Sequence, residues 1–495
     1  GFMTRWHYAY KGRYITSGTL RQDGSTRFGK GNRWATSPGL SLKWILSDEP
    51  FLDKADWLSM LAFRGSWGIS GNQPGSDYLH YSRYGIYGSY MNLPAVKPNS
   101  LRLDALKWET ATAYNLGAEF AVIDHKYSAD FNYYKTRIDD MLFSGFALSS
   151  SSGFPSLPYV NAGIMENEGW ELYLNFNRFV EVKDFSMDFK INFANNRNTI
   201  IEIDPTILKS WNAEFNYTNG TYLTRIQEHN AFGSIYGFRY KGTYKYDKFE
   251  NAIEKEGSIL GADGVPLAPF ALDAEGNVIY DHNGKPKPMY FSYNHLPTRY
   301  QFRGGDAIYE DINNDGSIDE LDIVYLGNSN PKIHGGFGLD FRYKRFMLRN
   351  FFNFRYGNKV VNSARMHAEN MYTDNNQSIA VNWRWRHEGD VTDMPRALYQ
   401  YGYNWLGSDR YVEDGSFLRF KYMQLNYDFP KSMLQPYHLE RLSFYMTINN
   451  LFLLTKYTGV DPEVGYGGLG GGGISYDNSR TPRTRDFVFG VTIGF

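Results

Sequence analysis

The chain has 495 residues, a net charge of -1 and no cysteine, which excludes disulfide and thiol chemistry and gives no basic balance for a nucleic-acid partner. Hydrophobic residues make up 42% and mean hydropathy is -0.50, and no uncharged apolar run reaches the roughly 18 residues that a membrane helix needs. Yet aromatics reach 17%, as 40 Tyr, 35 Phe and 11 Trp beside 49 Gly. A transmembrane barrel produces that mixture, because its strands alternate apolar-out and polar-in while aromatic girdles line both interfaces. A soluble β-rich protein shares the composition, so composition leaves both classes open.

Read in chain order, Gly1-Phe2-Met3-Thr4-Arg5 has no signal-peptide character and reads like the interior of a longer protein. Period-two patterning then predicts strands near 3–10, 13–24, 33–46, 58–70, 108–122, 126–140, 165–179, 185–198, 333–344, 346–358, 416–428, 440–454 and 486–495. Tyr127, Ala129, Phe131 and Tyr133 alternate with Ser128, Asp130, Asn132 and Tyr134; Met187, Phe189, Ile191 and Phe193 alternate with Asp188, Lys190 and Asn192. Leu172, Leu174 and Phe176 alternate with Glu171, Tyr173 and Asn175, and Phe444, Met446 and Ile448 with Tyr445, Thr447 and Asn449. Asp130 or Lys190 is costly against lipid but acceptable toward a lumen. The last segment is the clearest. Phe487, Phe489, Val491, Ile493 and Phe495 share one wholly apolar face, and Val488, Gly490, Thr492 and Gly494 share the other.

The connections sort into two alternating sets. Lys11-Gly12, Ser47–Trp57, Ile123–His125, Val180–Asp184, Arg345 and Phe429–Leu439 are mostly short. Ser25–Asn32, Gly71–Lys107, Met141–Ile164, Thr199–Lys332, Lys359–Gly415 and Thr455–Arg485 are mostly long. Outer-membrane barrels have short periplasmic turns and long extracellular loops, whereas a soluble sandwich has no reason to separate its connections this way. The fold expected is therefore all-β, a transmembrane antiparallel β-barrel. About thirteen strands is an odd number where single-chain barrels are normally even, so further strands are expected upstream. VNWRWRH at Val381–His387 is the candidate that would change that count.

Three loop segments carry candidate sites. Asp311, Asn313, Asp315, Ser317, Asp319 and Asp322 fall at positions 1, 3, 5, 7, 9 and 12 of an EF-hand-like calcium loop, with Gly316 at the turn position. Ser317 would use its carbonyl, and Asp322 stands where an EF-hand has Glu. The alternative is an Asx-rich turn that orders the end of the 199–332 loop. Tyr78, Tyr81, Tyr84, Tyr87 and Tyr90 recur every three residues in one loop, and Tyr399, Tyr401, Tyr403 and Trp405 alternate in another. Aromatic faces with hydroxyl tips suit sugar rings, peptide side chains or a packed partner. The Gly467–Gly473 run lacks the Gly-Lys-Ser/Thr of a phosphate loop and reads as a flexible external loop. The ten histidines show no metal-ligand spacing and no G-x-S-x-G elbow is present, so no enzyme is expected.

Eight segments, in order, resemble the SusC/RagA family of TonB-dependent outer-membrane transporters, typical of Bacteroidetes. They are LRQDGSTRFGKGNRW (Leu20–Trp34), FRGSWGISGNQ (Phe63–Gln73), KWETATAYNLGAEF (Lys107–Phe120) and YYKTRIDDML (Tyr133–Leu142). The others are NEGWEL (Asn167–Leu172), YEDINNDGSIDELD (Tyr309–Asp322), YVEDGSFLRFKYMQLNYDFP (Tyr411–Pro430) and NNLFLLTKYTGVDPE (Asn449–Glu463). The resemblance implies that residues 1–495 are the C-terminal part of a barrel of about 22 strands, with about nine strands, a plug and a TonB-box segment outside this chain. It also implies a SusD-like surface lipoprotein as lid, pulling by the TonB complex, and import of an oligosaccharide or peptide through the outer membrane of a Gram-negative cell. In the family a terminal aromatic such as Phe495 marks the last strand. The alternatives are a passive porin-like channel and a surface ligand-binding module.

Overall fold

The computed structural model describes residues 1–205, 222, 227–247, 269–292, 300–463, 473–479 and 481–495. Thirteen strands form one antiparallel sheet in strict sequence order. They are β1 (Phe2–Tyr10), β2 (Tyr14–Gly24), β3 (Trp34–Ile45), β4 (Leu58–Asn72), β5 (Glu109–Val122), β6 (Tyr127–Asp139) and β7 (Ile164–Val182). Then come β8 (Phe185–Glu202), β9 (Ile333–Tyr343), β10 (Phe346–Tyr356), β11 (Phe417–Asp428), β12 (Arg441–Thr455) and β13 (Asp486–Gly494). Each expected strand is present. Val381–His387 is not a fourteenth, because Ile379–Trp383 is a short 3-10 helix capped by the Ser378 hydroxyl. Among the described residues no helix is long and apolar enough to cross a membrane. Most strands meet the roughly 9–11 residues needed for a tilted crossing.

The registers give the sheet two chemically different faces. Ile191 pairs with Phe337, Phe337 with Phe352, Phe352 with Phe420 and Phe420 with Phe452. The Phe337, Phe352 and Phe420 rings stack across strands β9 to β11, with centroids 4.6 Å (Phe337–Phe352) and 4.3 Å (Phe352–Phe420) apart, and the Phe452 ring of β12 meets Phe420 edge-on at 5.4 Å. Such a cross-strand aromatic ladder stabilises a sheet and belongs at an apolar or interfacial surface. The other face is polar. Lys43 of β3 donates to Glu119 of β5 at 2.8 Å, and Arg64 of β4 donates to Asp130 and Asn132 of β6 at 2.7 and 2.6 Å and to Glu119. Gly117 makes room for this, since a Cβ there would stand 2.5 Å from the Arg64 Nε. Charges that answer one another across four strands are what a lumen-facing wall can hold and a lipid-facing one cannot.

On β13 the apolar face (Phe487, Phe489, Val491, Ile493) stands out at 51–63% exposure, beside its β12 partners Ile448, Met446, Phe444 and Leu442. Phe489→Arg is therefore expected to cost about 2–4 kcal/mol if it lies near mid-bilayer, while Thr492→Arg on the opposite face costs far less. Urea unfolding of the reconstituted full-length protein checks this, and equal effects of the two would remove the face assignment.

The long connections are not bare loops. Tyr84–Tyr90 pairs with Leu93–Pro98, Leu142–Ala147 with Ser156–Asn161, Ser234–Gly237 with Val324–Asn328, Tyr240–Thr243 with Ala307–Tyr309, and Lys359–Val361 with Val412–Asp414. The Ser363–Glu369 helix is capped where the Asn362 side chain accepts from the Arg365 amide at 2.9 Å.

Candidate functional site

All of this extra structure collects at the end of the sheet that carries the long connections, where small hydrophobic cores hold it. In the first, Phe238, Tyr244, Phe291, Phe302, Ile318 and Leu406 are essentially buried, which joins the 203–332 and 357–416 connections. The second takes Ile235, Val361, Met366, Tyr411 and Ile474 from three connections, and the third packs Phe28, Leu79 and Leu106 against Trp108, Leu142 and Tyr159. A further core of Phe143, Ala162, Ile200 and Ile203 joins the 141–164 and 199–332 connections, so the connections form one folded layer at that end of the sheet.

Buried ion networks tie that layer down, two of them as follows. Asp306 is fully buried and accepts from Arg396 Nε at 2.7 Å, Arg396 Nη2 at 3.1 Å, the Tyr300 hydroxyl at 2.8 Å and the Arg303 amide at 2.8 Å. Arg419, near the start of β11, donates to Asp461 at 2.6 Å and lies 2.7 Å from the partly buried Glu463, with Arg419 and Asp461 both buried. Sequence reading did not single out these residues. For Arg419 a signal existed: period two turns it away from the Phe420 face, and the GVDPE run supplies the carboxylates.

The tyrosine series divides. Tyr78, Tyr81, Tyr84 and Tyr87 are exposed, and the ammonium of Lys97 stands 3.6 Å from the Tyr87 ring centroid. Tyr84 and Tyr87 sit on the Tyr84–Pro98 hairpin, whose Ile86, Met91, Leu93 and Val96 are 62–81% exposed. Tyr399 and Tyr401 are also exposed. Tyr403 is not: it is half-buried against the first core, its ring 4.0 Å from that of Phe291. Trp405 is buried in the second core. Positive φ at Gln400 (51°) and Gly402 (76°) breaks the extended path, so alternation in sequence does not become one shared face. The structure thus gives Tyr403 a packing contact in place of the exposed face expected of a ligand-binding ring.

The 311–322 turn is closed by its own side chains. Asp311 accepts from the amides of Asp315 and Gly316 at 3.2 and 2.7 Å, and Asp315 from the Ser317 amide at 2.8 Å. Asp319 accepts from the Leu321 amide, and the buried Asp322 from the amides of Ile312 and Asp319 at 2.7 and 2.8 Å. Asn313 bonds both the amide and the carboxylate of Asp315, and Ser317 pairs its backbone with Tyr290. Burial pushes the Asp322 carboxyl up to about 7, reinforced by neighbouring Asp311 and Asp319, and burial also raises Asp311 and Asp319. In this arrangement the carboxylates point at backbone amides, and among the described residues no three His, Asp or Glu side chains converge to hold a metal ion. Most of the Gly467–Gly473 run lies outside the described residues.

A family profile described as "TonB dependent receptor-like, beta-barrel" matches residues 1–252. The chain is 29% identical to TonB-dependent receptor P39 of Formosa agariphila and 25% identical to TonB-dependent receptor SusC of Bacteroides thetaiotaomicron. Those alignments cover 99% and 100% of this chain and 45% and 43% of the relatives, so the chain spans about half the length of the curated relatives it matches. Among solved structures, that of the RagAB peptide transporter superposes with a TM-score of 0.73 at 22% identity, covering 100% of this chain and 47% of that one. The chain therefore belongs to the β-barrel family of TonB-dependent receptors of the outer membrane, and is similar to SusC in sequence and to the RagAB transporter in fold.

Proposed function

We propose that the receptor to which this barrel portion belongs imports a large nutrient, an oligosaccharide or a peptide, across the outer membrane. A plug drawn by the TonB complex supplies the opening step and a SusD-like lipoprotein closes the top. The observation that carries this reading is the folded layer of long connections over a charged lumen wall. The Tyr84–Pro98 hairpin supports the lid, because a two-stranded hairpin is marginal alone and this one holds its large apolar side chains in the open. In this reading Tyr78, Tyr81, Tyr84 and Tyr87 meet the lid or cargo, Tyr399 and Tyr401 meet cargo, and Tyr403 supports Tyr401 from beneath through Tyr300, whose ring lies 5.2 and 5.4 Å from theirs. Uptake of labelled oligosaccharides and peptides by cells with and without the receptor tests the reading. Receptor-dependent uptake that an uncoupler abolishes supports it. Receptor-dependent uptake that survives the uncoupler supports a passive channel instead.

We further propose that the 311–322 turn takes Ca2+ as a structural ion, with Asp311, Asn313, Asp315, Asp319, Asp322 and the Ser317 carbonyl turning from the backbone amides toward it. The support is crowding: three of its carboxyls are raised by burial and each is raised further by an acidic neighbour, a state that a cation relieves. The sign follows from linkage. A raised carboxyl adds stability that is fully present below its unfolded value near pH 4 and lost as pH rises through about 7, where Asp322 titrates. Calcium should therefore raise the melting temperature of the full-length receptor more at pH 8 than at pH 5.5. A calcium effect that is absent, or independent of pH, would count against the site.

A further inference from the structure

We propose that two neighbouring short turns, Lys183-Asp184 and Lys344-Arg345, together bind the headgroup of an anionic phospholipid, whose acyl chains lie on an outward row of aromatic rings beside them. This site depends on the outer-membrane placement of the barrel and not on any cargo. In that placement the short connections lie on the periplasmic side, where the wall meets phospholipid.

The row comes from the registers. Phe185 of β8 pairs with Tyr343 of β9, Tyr343 with Phe346 of β10, and Phe346 with Tyr427 of β11. Tyr343 has the parity of Phe337 along β9, so all four rings lie on the apolar face of the sheet. The Phe346 and Tyr427 ring centroids are 4.6 Å apart, and Tyr343 and Phe346 are about half exposed. Rings of this kind sit at the depth of lipid headgroups, with apolar bodies beside the chains.

The cations stand just past that row. The Lys344 amide donates to the Asp184 carbonyl at 3.1 Å, which sets the two turns side by side. Lys183, Lys344 and Arg345 are exposed, and among the described residues none of them forms an ion pair. By contrast, Arg178 and Arg342 of the adjoining strands are paired, with Glu181 at 3.2 Å and Asp188 at 2.9 Å. Asp184 is the one carboxylate on the two turns, so they keep an excess of positive charge. That charge leans toward lipid. The Lys344 ammonium lies 5.4 Å from the centroid of the outward Tyr343 ring. Lys126 repeats the arrangement at 5.7 Å over Tyr127, whose ring shares a face with Phe176 and Phe189. Lys183 and Lys344 also hold positive φ, 51° and 52°, where Gly or Asn is less strained. Turn geometry does not ask for lysine there, which leaves the charge as the reason for it.

Clustered Lys and Arg at a membrane surface attract anionic headgroups, and the Arg345 guanidinium matches phosphate oxygens in pairs. A zwitterionic headgroup carries its own ammonium, which the same cations repel. Inorganic phosphate has no chains to lay on the row.

The test titrates the full-length receptor in detergent micelles with phosphatidylglycerol or phosphatidylethanolamine of matched acyl chains and counts bound lipid by native mass spectrometry. The first phosphatidylglycerol should bind about tenfold tighter than the first phosphatidylethanolamine. In the combined variant Lys183→Asn, Lys344→Asn and Arg345→Gln that preference should fall to about twofold or less. Asn suits the positive φ, so the variant should keep the wild-type midpoint of urea unfolding, which separates lost lipid binding from a damaged turn. Should the combined variant fail to fold, Lys344→Asn alone should lower the preference about threefold. The lipid site is ruled out by equal binding of the two lipids to wild type, or by a preference that the folded variant keeps. Displacement of phosphatidylglycerol by inorganic phosphate also rules it out, since that marks a site for soluble anions.

Discussion

Asp306→Ala should loosen the extracellular layer by about 3–5 kcal/mol, the usual cost of removing one partner from a buried ion pair. Asp306 has no exposed surface and its two oxygens take four donors, from Arg396, Tyr300 and the Arg303 amide. Truncation leaves the Arg396 guanidinium beside the first core with the Tyr300 hydroxyl, 3.4 Å from its Nη2, but no carboxylate to answer its charge. Asp306→Asn should also be costly, since it keeps the shape but brings N–H groups toward guanidinium donors. The loss is local, because none of these residues belongs to the thirteen-strand sheet. Hydrogen exchange should rise across 234–247, 300–309 and 396–406 while β1 to β13 stay protected. Unchanged exchange in those segments would show that the buried network does not hold the layer.

Arg419→Ala is expected to cost a similar amount, about 3–5 kcal/mol, but at the junction between sheet and layer. Arg419 sits on β11 with its side chain buried, and its partners Asp461 and Glu463 lie beyond the end of β12. Removing the guanidinium leaves the buried Asp461 carboxylate without its cation, while Glu463 keeps Arg483 at 3.3 Å. The Asp461 carboxylate also accepts from the Glu463 amide at 2.9 Å, so the turn after β12 should become open to cleavage. Limited proteolysis of the folded receptor measures this, and a variant cut no faster than wild type would remove the anchor from Arg419.

The sheet was legible in the sequence because its determinants are local. Period-two alternation between lipid and lumen needs no knowledge of partners, and Phe487 to Ile493 display it within one strand. The lengths of the connections then assigned them to two ends. Boundaries drifted where strands run past the expected membrane span: β7 and β8 reach Val182 and Glu202, beyond the expected 179 and 198. The layer was not legible, because its contacts join residues far apart in sequence, such as Asp306 with Arg396 and Arg419 with Asp461, 90 and 42 positions apart. Tyr403 shows the same limit. Its alternation with Tyr399 and Tyr401 resembles a ligand-facing row, and only the reversals at Gln400 and Gly402 send it to the core. The 311–322 turn was legible as a pattern of oxygens, but pattern alone does not say whether those oxygens meet an ion or the backbone.

The most direct test of the account is which end of the sheet faces outward on living cells. This portion contributes no cysteine of its own, so single cysteines can be placed in the full-length receptor at Lys285 and Val391 in the long connections, and at Lys11, Lys183 and Lys344 in the short ones. A membrane-impermeant maleimide applied to intact cells should label Lys285→Cys and Val391→Cys. It should reach Lys11→Cys, Lys183→Cys and Lys344→Cys only after the outer membrane is opened. Labelling of the short-connection cysteines on intact cells would contradict the barrel topology, and with it the proposal of import.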